Sequence, residues 1–301
     1  RLDLPGLRAM AGTPGYGDLP AGFDDPATAQ IAVLPVPYDA TSTWMKGADR
    51  GPQAIIDASH QVEWYDIPTG TEVYRQGIAT LEPVTCGEGP ERLADLVDER
   101  VAALLAAGRF PVVLGGEHSI SIGAIRAAAR LRPGLSVLQV DAHADTREEY
   151  QGSRFNHACV MARVREWCPV VQVGIRAVDA AEVPALEPHR VFWAHDIAAA
   201  ERAGEPWMDH AVSPLGDPVW VTIDLDGLDP SIMPATGTPE PGGLSWYQVI
   251  GLLERVARRR RVVGFDVVEL LPTAEHWASS FLAAKLVYRF LSMVFAYRTD
   301  R

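Results

Sequence analysis

Short apolar runs recur along this chain, each separated from the next by a stretch with helical spacing, and that alternation restricts the fold more than any other feature. The runs fall at residues 31–36, 110–114, 135–140, 170–173, 191–194, 218–225 and 262–268. Runs this short and this uniformly apolar read as strands covered on both faces, which is the habit of parallel sheets. Helical stretches are read at 52–60, 91–107, 119–131, 158–167, after Asp196, at 244–257 and at 276–295. Gly108 stops one of them and Pro52 opens another. Residues 63–90 read as irregular, with strand-like pieces around 73–78. Strand and helix alternate with no break in composition and no internal repeat. The expectation is one open α/β domain over residues 1–301, three-layer α/β/α with a largely parallel sheet. Ligands of such sheets bind beyond the carboxyl ends of the strands.

Length and charge remove several function classes. The chain has 301 residues, 48% of them hydrophobic, enough for one large core. No run of about 18 apolar residues is evident, so no membrane partner is expected. A formal charge of -12 argues against nucleic acid, which calls for a basic patch, and suits a small cationic substrate. Cys86, Cys159 and Cys168 are too few and too scattered for a disulfide framework or a zinc ribbon, so a reducing cytoplasm is the expected compartment. Residues 1–28, rich in Gly, Pro and Asp, read as an extended arm over the surface, available for a subunit contact.

The strand ends carry unusual polar residues: Gly115-Gly116-Glu117-His118, Asp141-x-His143-x-Asp145, Asp224-x-Asp226 and Val268-Glu269. Alternate residues of extended chain point the same way, so Asp141, His143 and Asp145 can converge. Taken singly, His118 could cap the helix beginning at Ser119, and Asp224 and Asp226 could be turn residues. Together, two imidazoles and four carboxylates would repel or be poorly solvated at strand ends without a cation among them. The set exceeds the needs of one tetrahedral zinc and fits two five- or six-coordinate metals. Its oxygen-rich character favours manganese, with nickel, cobalt and iron left open.

Three strings resemble the ureohydrolases, the family of arginase and agmatinase: GGEHSI at 115–120, DAHAD at 141–145, and TIDLDGLDPSIMPATGTPEPGGLS at 222–245. The likeness runs from Ile31 onward. It implies an arginase-like fold and two Mn2+ per subunit, with His118, Asp141, His143, Asp145, Asp224 and Asp226 as ligands and Asp141 and Asp224 as bridges. It implies His157 as proton shuttle, Glu269 as the guanidinium-binding carboxylate, a catalytic role for Asp145, and Thr238 in the substrate pocket. It also implies a homotrimer or homohexamer. A guanidinium carbon is a poor electrophile, and two metals would acidify a water and aim it there.

The loop after the second string departs from arginases. They place an Asn where this chain has Arg147, and a Gly after the histidine where it has Ala158. The loop is more similar to that of agmatinases. Glu148 or Glu149 is expected to meet a distal ammonium, Arg147 a substrate carboxylate, and Asn156 the substrate beside His157. The expected reaction is agmatine to putrescine and urea, a step of polyamine synthesis. A guanidino acid or formimino substrate is the alternative, and a metal-binding protein without turnover is a third reading.

Overall fold

The computed structural model describes residues 9, 10, 12 and 14–298. Part of the expected arm, residues 1–8, 11 and 13, therefore lies outside the described residues. Eight strands form one sheet: β1 Ile31–Val36, β2 Ile78–Thr80, β3 Phe110–Gly115, β4 Ser136–Val140, β5 Val170–Ile175, β6 Val191–Trp193, β7 Val219–Asp224 and β8 Val262–Val268. Their order is β2-β1-β3-β8-β7-β4-β5-β6, and every pairing is parallel.

The helices are α1 Gly51–Ser59, α2 Pro90–Ala106, α3 Ile120–Leu131, α4 Val160–Val164, α5 Ala194–Ala203, α6 Trp207–Val212, α7 Trp246–Arg259 and α8 Trp277–Ala296. Alternate strand residues feed opposite cores. Ile31 and Val33 of β1 pack with α1, α6, α7 and α8, whereas Ala32, Leu34 and Val36 pack with α2, α3 and α4. Both faces are therefore apolar, which gives the strands their unbroken hydrophobic runs. The three-layer α/β/α architecture follows.

Several local readings change. The pieces around 73–78 resolve into a 3-10 turn, Val73–Gln76, and the three-residue edge strand β2. The helix expected at 158–167 is only the five residues of α4. The described part of the arm is tied down: Ala9 bridges Leu81 antiparallel beside β2, and buried Tyr16 donates its hydroxyl to the Ala284 carbonyl at 2.7 Å. The stretch Ala274–Ala296, which contains α8, is apolar and long enough to cross a membrane, but 67% of its most apolar window is buried within the fold, as befits a core helix.

Candidate metal centre and active site

The four central strands, β3, β8, β7 and β4, are neighbours in the sheet, and each ends on one of the polar strings. After β3 the chain turns through Gly116, where a Cβ would lie 2.0 Å from the Tyr38 carbonyl oxygen; only glycine lets the two strand exits meet. His118 follows, almost fully buried, and makes no side-chain cap for α3. Its Nδ1 lies 3.2 Å from Asp141 Oδ2, 2.9 Å from Asp145 Oδ2 and 3.3 Å from Asp224 Oδ2. A second group forms around His143, whose Nδ1 is 2.9 Å from Asp226 Oδ2 and 3.7 Å from Asp141 Oδ1. Asp141 thus gives one oxygen to each group. The Asp141–Asp145 string, expected to converge on one point, serves two. The turn arises at Asp145, whose φ of 52° is left-handed, with its carbonyl held by the N–H groups of Met161 and Ala162 at 2.9 and 3.3 Å. Asp224 sits with the first group, and its Oδ1 accepts the Asp226 N–H at 3.0 Å.

The donor set fits cations. His118 Nδ1 is buried among three carboxylate oxygens yet makes no hydrogen bond with usable geometry to any of them. Atoms that converge without bonding one another are arranged around a common centre. On the other side of the ring, Nε2 donates to Thr222 Oγ1 at 2.9 Å, and Thr222 donates to buried Asp266 at 2.6 Å. That chain keeps a proton on Nε2, so Nδ1 is the nitrogen that would turn its lone pair to a metal once its own proton is displaced. Asp141 is steadied in the same way. Gln139 donates to its Oδ2 at 2.7 Å, Gln172 to Gln139 at 2.7 Å, and Arg165 to Gln172 at 2.7 Å.

Electrostatics agree with this fit. Burial raises Asp145 to about 6, with the neighbouring Asp141 charge adding to it. Burial also raises Asp224, again with Asp226 and Asp141 adding. Burial lowers the two ligand imidazoles, but the surrounding carboxylates outweigh it and both end well above the ordinary histidine range. The carboxylates therefore hold protons on the imidazoles, and a divalent cation would replace those protons.

The substrate side lies against these groups in a cavity of about 390 Å3 lined by His118, His143, Asp145, Asp224, Asp226, His157, Thr238 and Glu269, among others. Glu269 also has a left-handed φ, 65°, and its Oε1 accepts the His118 N–H at 2.8 Å. Burial, then the Glu117 charge, lifts its carboxyl to about 8. Burial, then the His118 and His143 charges, drops His157 to about 4.

An arginase-family model matches residues 29–292. The N(1)-aminopropylagmatine ureohydrolase of Synechocystis sp. is 38% identical over 276 residues, covering 88% of this chain and 89% of that one. The agmatinase of Pyrococcus horikoshii is 34% identical, covering 88% and 92%. The solved structure of the agmatine ureohydrolase of Thermoplasma volcanium superposes with a TM-score of 0.84 at 32% identity, covering 96% of both chains. The chain belongs to the arginase family. It is an agmatinase-like ureohydrolase, an enzyme that hydrolyses a guanidino group.

Within this arginase-family site, the loop residues expected at the substrate divide. Arg147 lines the cavity, but its guanidinium lies 3.4 Å from Asp179 and 3.6 Å from Glu182 and stacks over the Tyr150 ring at 4.5 Å. Glu148 is not among the lining residues: its carboxylate pairs with Arg163 at 2.5 Å and Arg154 at 3.7 Å. The expectation that it meets a substrate ammonium is corrected, because two arginines on the far side of the loop hold it. Asn156 is buried and caps the next turn, accepting from the Ala158 N–H at 3.0 Å. It shapes the backbone at His157 and does not line the cavity.

Other residues at the site were not read from sequence. Gln139 and Thr222 stand two residues before Asp141 and Asp224, so strand alternation could have found them. Arg176, just after β5, donates to the carbonyls of Asp226 at 2.6 Å and Glu240 at 2.8 Å, closing the loop that carries Thr238. Glu240, Asp179 and Glu182 line the cavity with no sequence signal to mark them.

Proposed function

We propose that this ureohydrolase cleaves a guanidine with a cationic tail: agmatine, giving putrescine and urea. One observation carries the reading. Arg147, the cation best placed to greet a carboxylate, is already engaged by Asp179 and Glu182, while Glu240, whose carboxylate makes no ion pair within 4 Å among the described residues although Arg176 lies beside it, lines the cavity. A cavity mouth of this charge favours an ammonium over a carboxylate. A second reading, agmatine carrying an aminopropyl extension, is favoured by the name of the Synechocystis relative.

Two Mn2+ would be held by His118, Asp141, Asp145 and Asp224 on one side and by Asp141, His143 and Asp226 on the other, with Asp224, expected as a second bridge, grouped here with His118. When bound they supply an acidified water as the attacking group. Glu269 binds the guanidinium through charge-assisted bonds to its carboxylate. Asp145, which lines the cavity beside His118, would be the carboxylate placed to take a proton there. His157, neutral at rest because burial lowers its pKa to about 4, would take up a proton from solvent at its bare ring nitrogen and pass it to the departing amine nitrogen. Thr238, 3.4 Å from Asp226 Oδ2, braces that ligand at the cavity wall. The enzyme is read as a cytoplasmic homotrimer or homohexamer.

The test is urea release by manganese-loaded protein on agmatine, aminopropylagmatine, arginine and guanidinobutyrate. One of the two amine-tailed substrates is expected to lead. A preference of more than tenfold for a guanidino acid would overturn the substrate assignment and leave the reaction class standing.

A further inference from the structure

Thr41 sits in the loop between β1 and α1, opposite the loop that carries His157. Its Oγ1 accepts the His157 backbone N–H at 3.0 Å and lies 3.2 Å from His157 Nδ1. The same hydroxyl donates to Glu117 Oε2, and Ser119 donates to Glu117 Oε1. Glu117 is fully buried between these two hydroxyls, and its Oε2 is 3.6 Å from His157 Nδ1, too far for a hydrogen bond.

A threonine hydroxyl has one proton to give and two lone pairs to receive with. Here the proton goes to Glu117, and the backbone N–H of His157 fills one lone pair. The remaining lone pair faces Nδ1 and can only accept. As long as Glu117 is the carboxylate that both hydroxyls donate to, Nδ1 carries the proton, and in a neutral imidazole that leaves Nε2 bare. Nε2 is the ring nitrogen away from Thr41, and the residue lines the cavity.

We propose that Thr41 is the positioning residue for His157, holding its neutral ring in the Nδ1-protonated tautomer so that Nε2 is the atom that takes up and delivers the proton. The proposal rests on the reading of His157 as proton carrier, and it adds which nitrogen does the work and what selects it. Cooperation of this kind is demanding: a hydroxyl committed on all three sides has no alternative arrangement while Glu117 accepts. Asn156 fixes the backbone beside it, so ring and main chain are set together.

The experiment uses full-length protein loaded with diamagnetic zinc and labelled with 15N-histidine. The His157 ring signals are assigned by difference from His157→Ala. Wild type is expected to show a protonated Nδ1 and a bare Nε2. Thr41→Ser is expected to keep that pattern and near-normal kcat. Thr41→Val, with two metals still bound per chain, is expected to show mixed or Nε2-protonated tautomers. In the manganese enzyme its kcat is expected to fall by at least about 10-fold, and by no more than the ~10²–10⁴-fold that proton-transfer catalysis contributes, with KM little changed. An Nε2-protonated ring in wild type overturns the proposal. So does a Thr41→Val protein that retains the wild-type tautomer, and should that variant fail to fold, the wild-type spectrum still decides. The spectrum needs no turnover; an unimpaired His157→Ala enzyme would overturn the shuttle reading alone.

Discussion

His118 is made ready for a cation by Thr222, two residues before Asp224 on the same strand. Thr222 accepts a hydrogen bond from Nε2–H and donates its own hydroxyl to Asp266, and the opposite nitrogen is left facing three carboxylates. Ligands held this way bind metal in competition with protons, and Asp145 sets the range. Its carboxyl lies at about 6 in the fold against 3.8 unfolded. A raised folded value stabilises the metal-free protein most below 3.8, and that contribution is lost as pH rises through about 6. Bound metal reverses the sign, since it needs the deprotonated form. Metal content measured after equilibration between pH 4.5 and 8 is expected to fall steeply below about 6, with the apo protein's stability moving the other way. His157 behaves differently because it touches no cation. His157→Ala is expected to keep both metals while kcat drops by about 10²–10⁴-fold; metal analysis and steady-state kinetics on the same preparation check both halves. The chemical types at this scale were legible in the sequence. A two-metal division with Asp141 shared was legible through the family likeness, but the placing of Asp145 beside His118 was not, because it depends on the left-handed turn at Asp145.

α7 shows what a helix boundary contributes. Ser245 accepts from the Gln248 N–H at 3.3 Å, and Gln248 reaches back to the Ser245 N–H at 2.7 Å, a complete capping box. It starts the helix at Trp246, two residues later than the apolar pattern beginning at Leu244 indicates, and anchors the end of the loop that carries Thr238. Ser245→Ala is expected to cost about 1 kcal/mol, read from the urea midpoint at unchanged slope. α4 is the opposite case. Its pattern reads as ten residues, but its first N–H groups are given to the Asp145 carbonyl and its lead-in is a 3-10 turn capped by Asn156. The local sequence has helical propensity there; the metal loop decides how much of it is used. Of β2, only the first residue, Ile78, falls within the strand-like pieces read from sequence, since three residues are too few for periodicity to register.

Residue 66 and residue 289 lie far apart in the chain, yet Asp66 Oδ2 and Arg289 Nη1 meet at 2.5 Å with both side chains buried. The pair fastens α8 to the loop after α1, and α1 and α8 pack together beneath the sheet. Asp66→Ala strands a buried guanidinium and is expected to cost about 3–5 kcal/mol, measured by chemical denaturation of the metal-loaded protein. Arg289→Met, which removes the stranded charge and keeps apolar volume, is expected to be milder when combined with it. At the scale of the molecule, the sequence by itself determined the layers and the chemistry. Runs apolar on both faces read as interior parallel strands, and carboxylates with imidazoles at their ends are most simply reconciled by a cation. The tertiary structure alone decided the strand order that places the ends of β3, β8, β7 and β4 side by side, although they are far apart in sequence. It also decided that Arg147 is spent on Asp179 and Glu182 and that Glu148 turns away. Neither could be read from residue types, because strand order and ion pairing are set by contacts between segments, and those depend on how the whole chain closes.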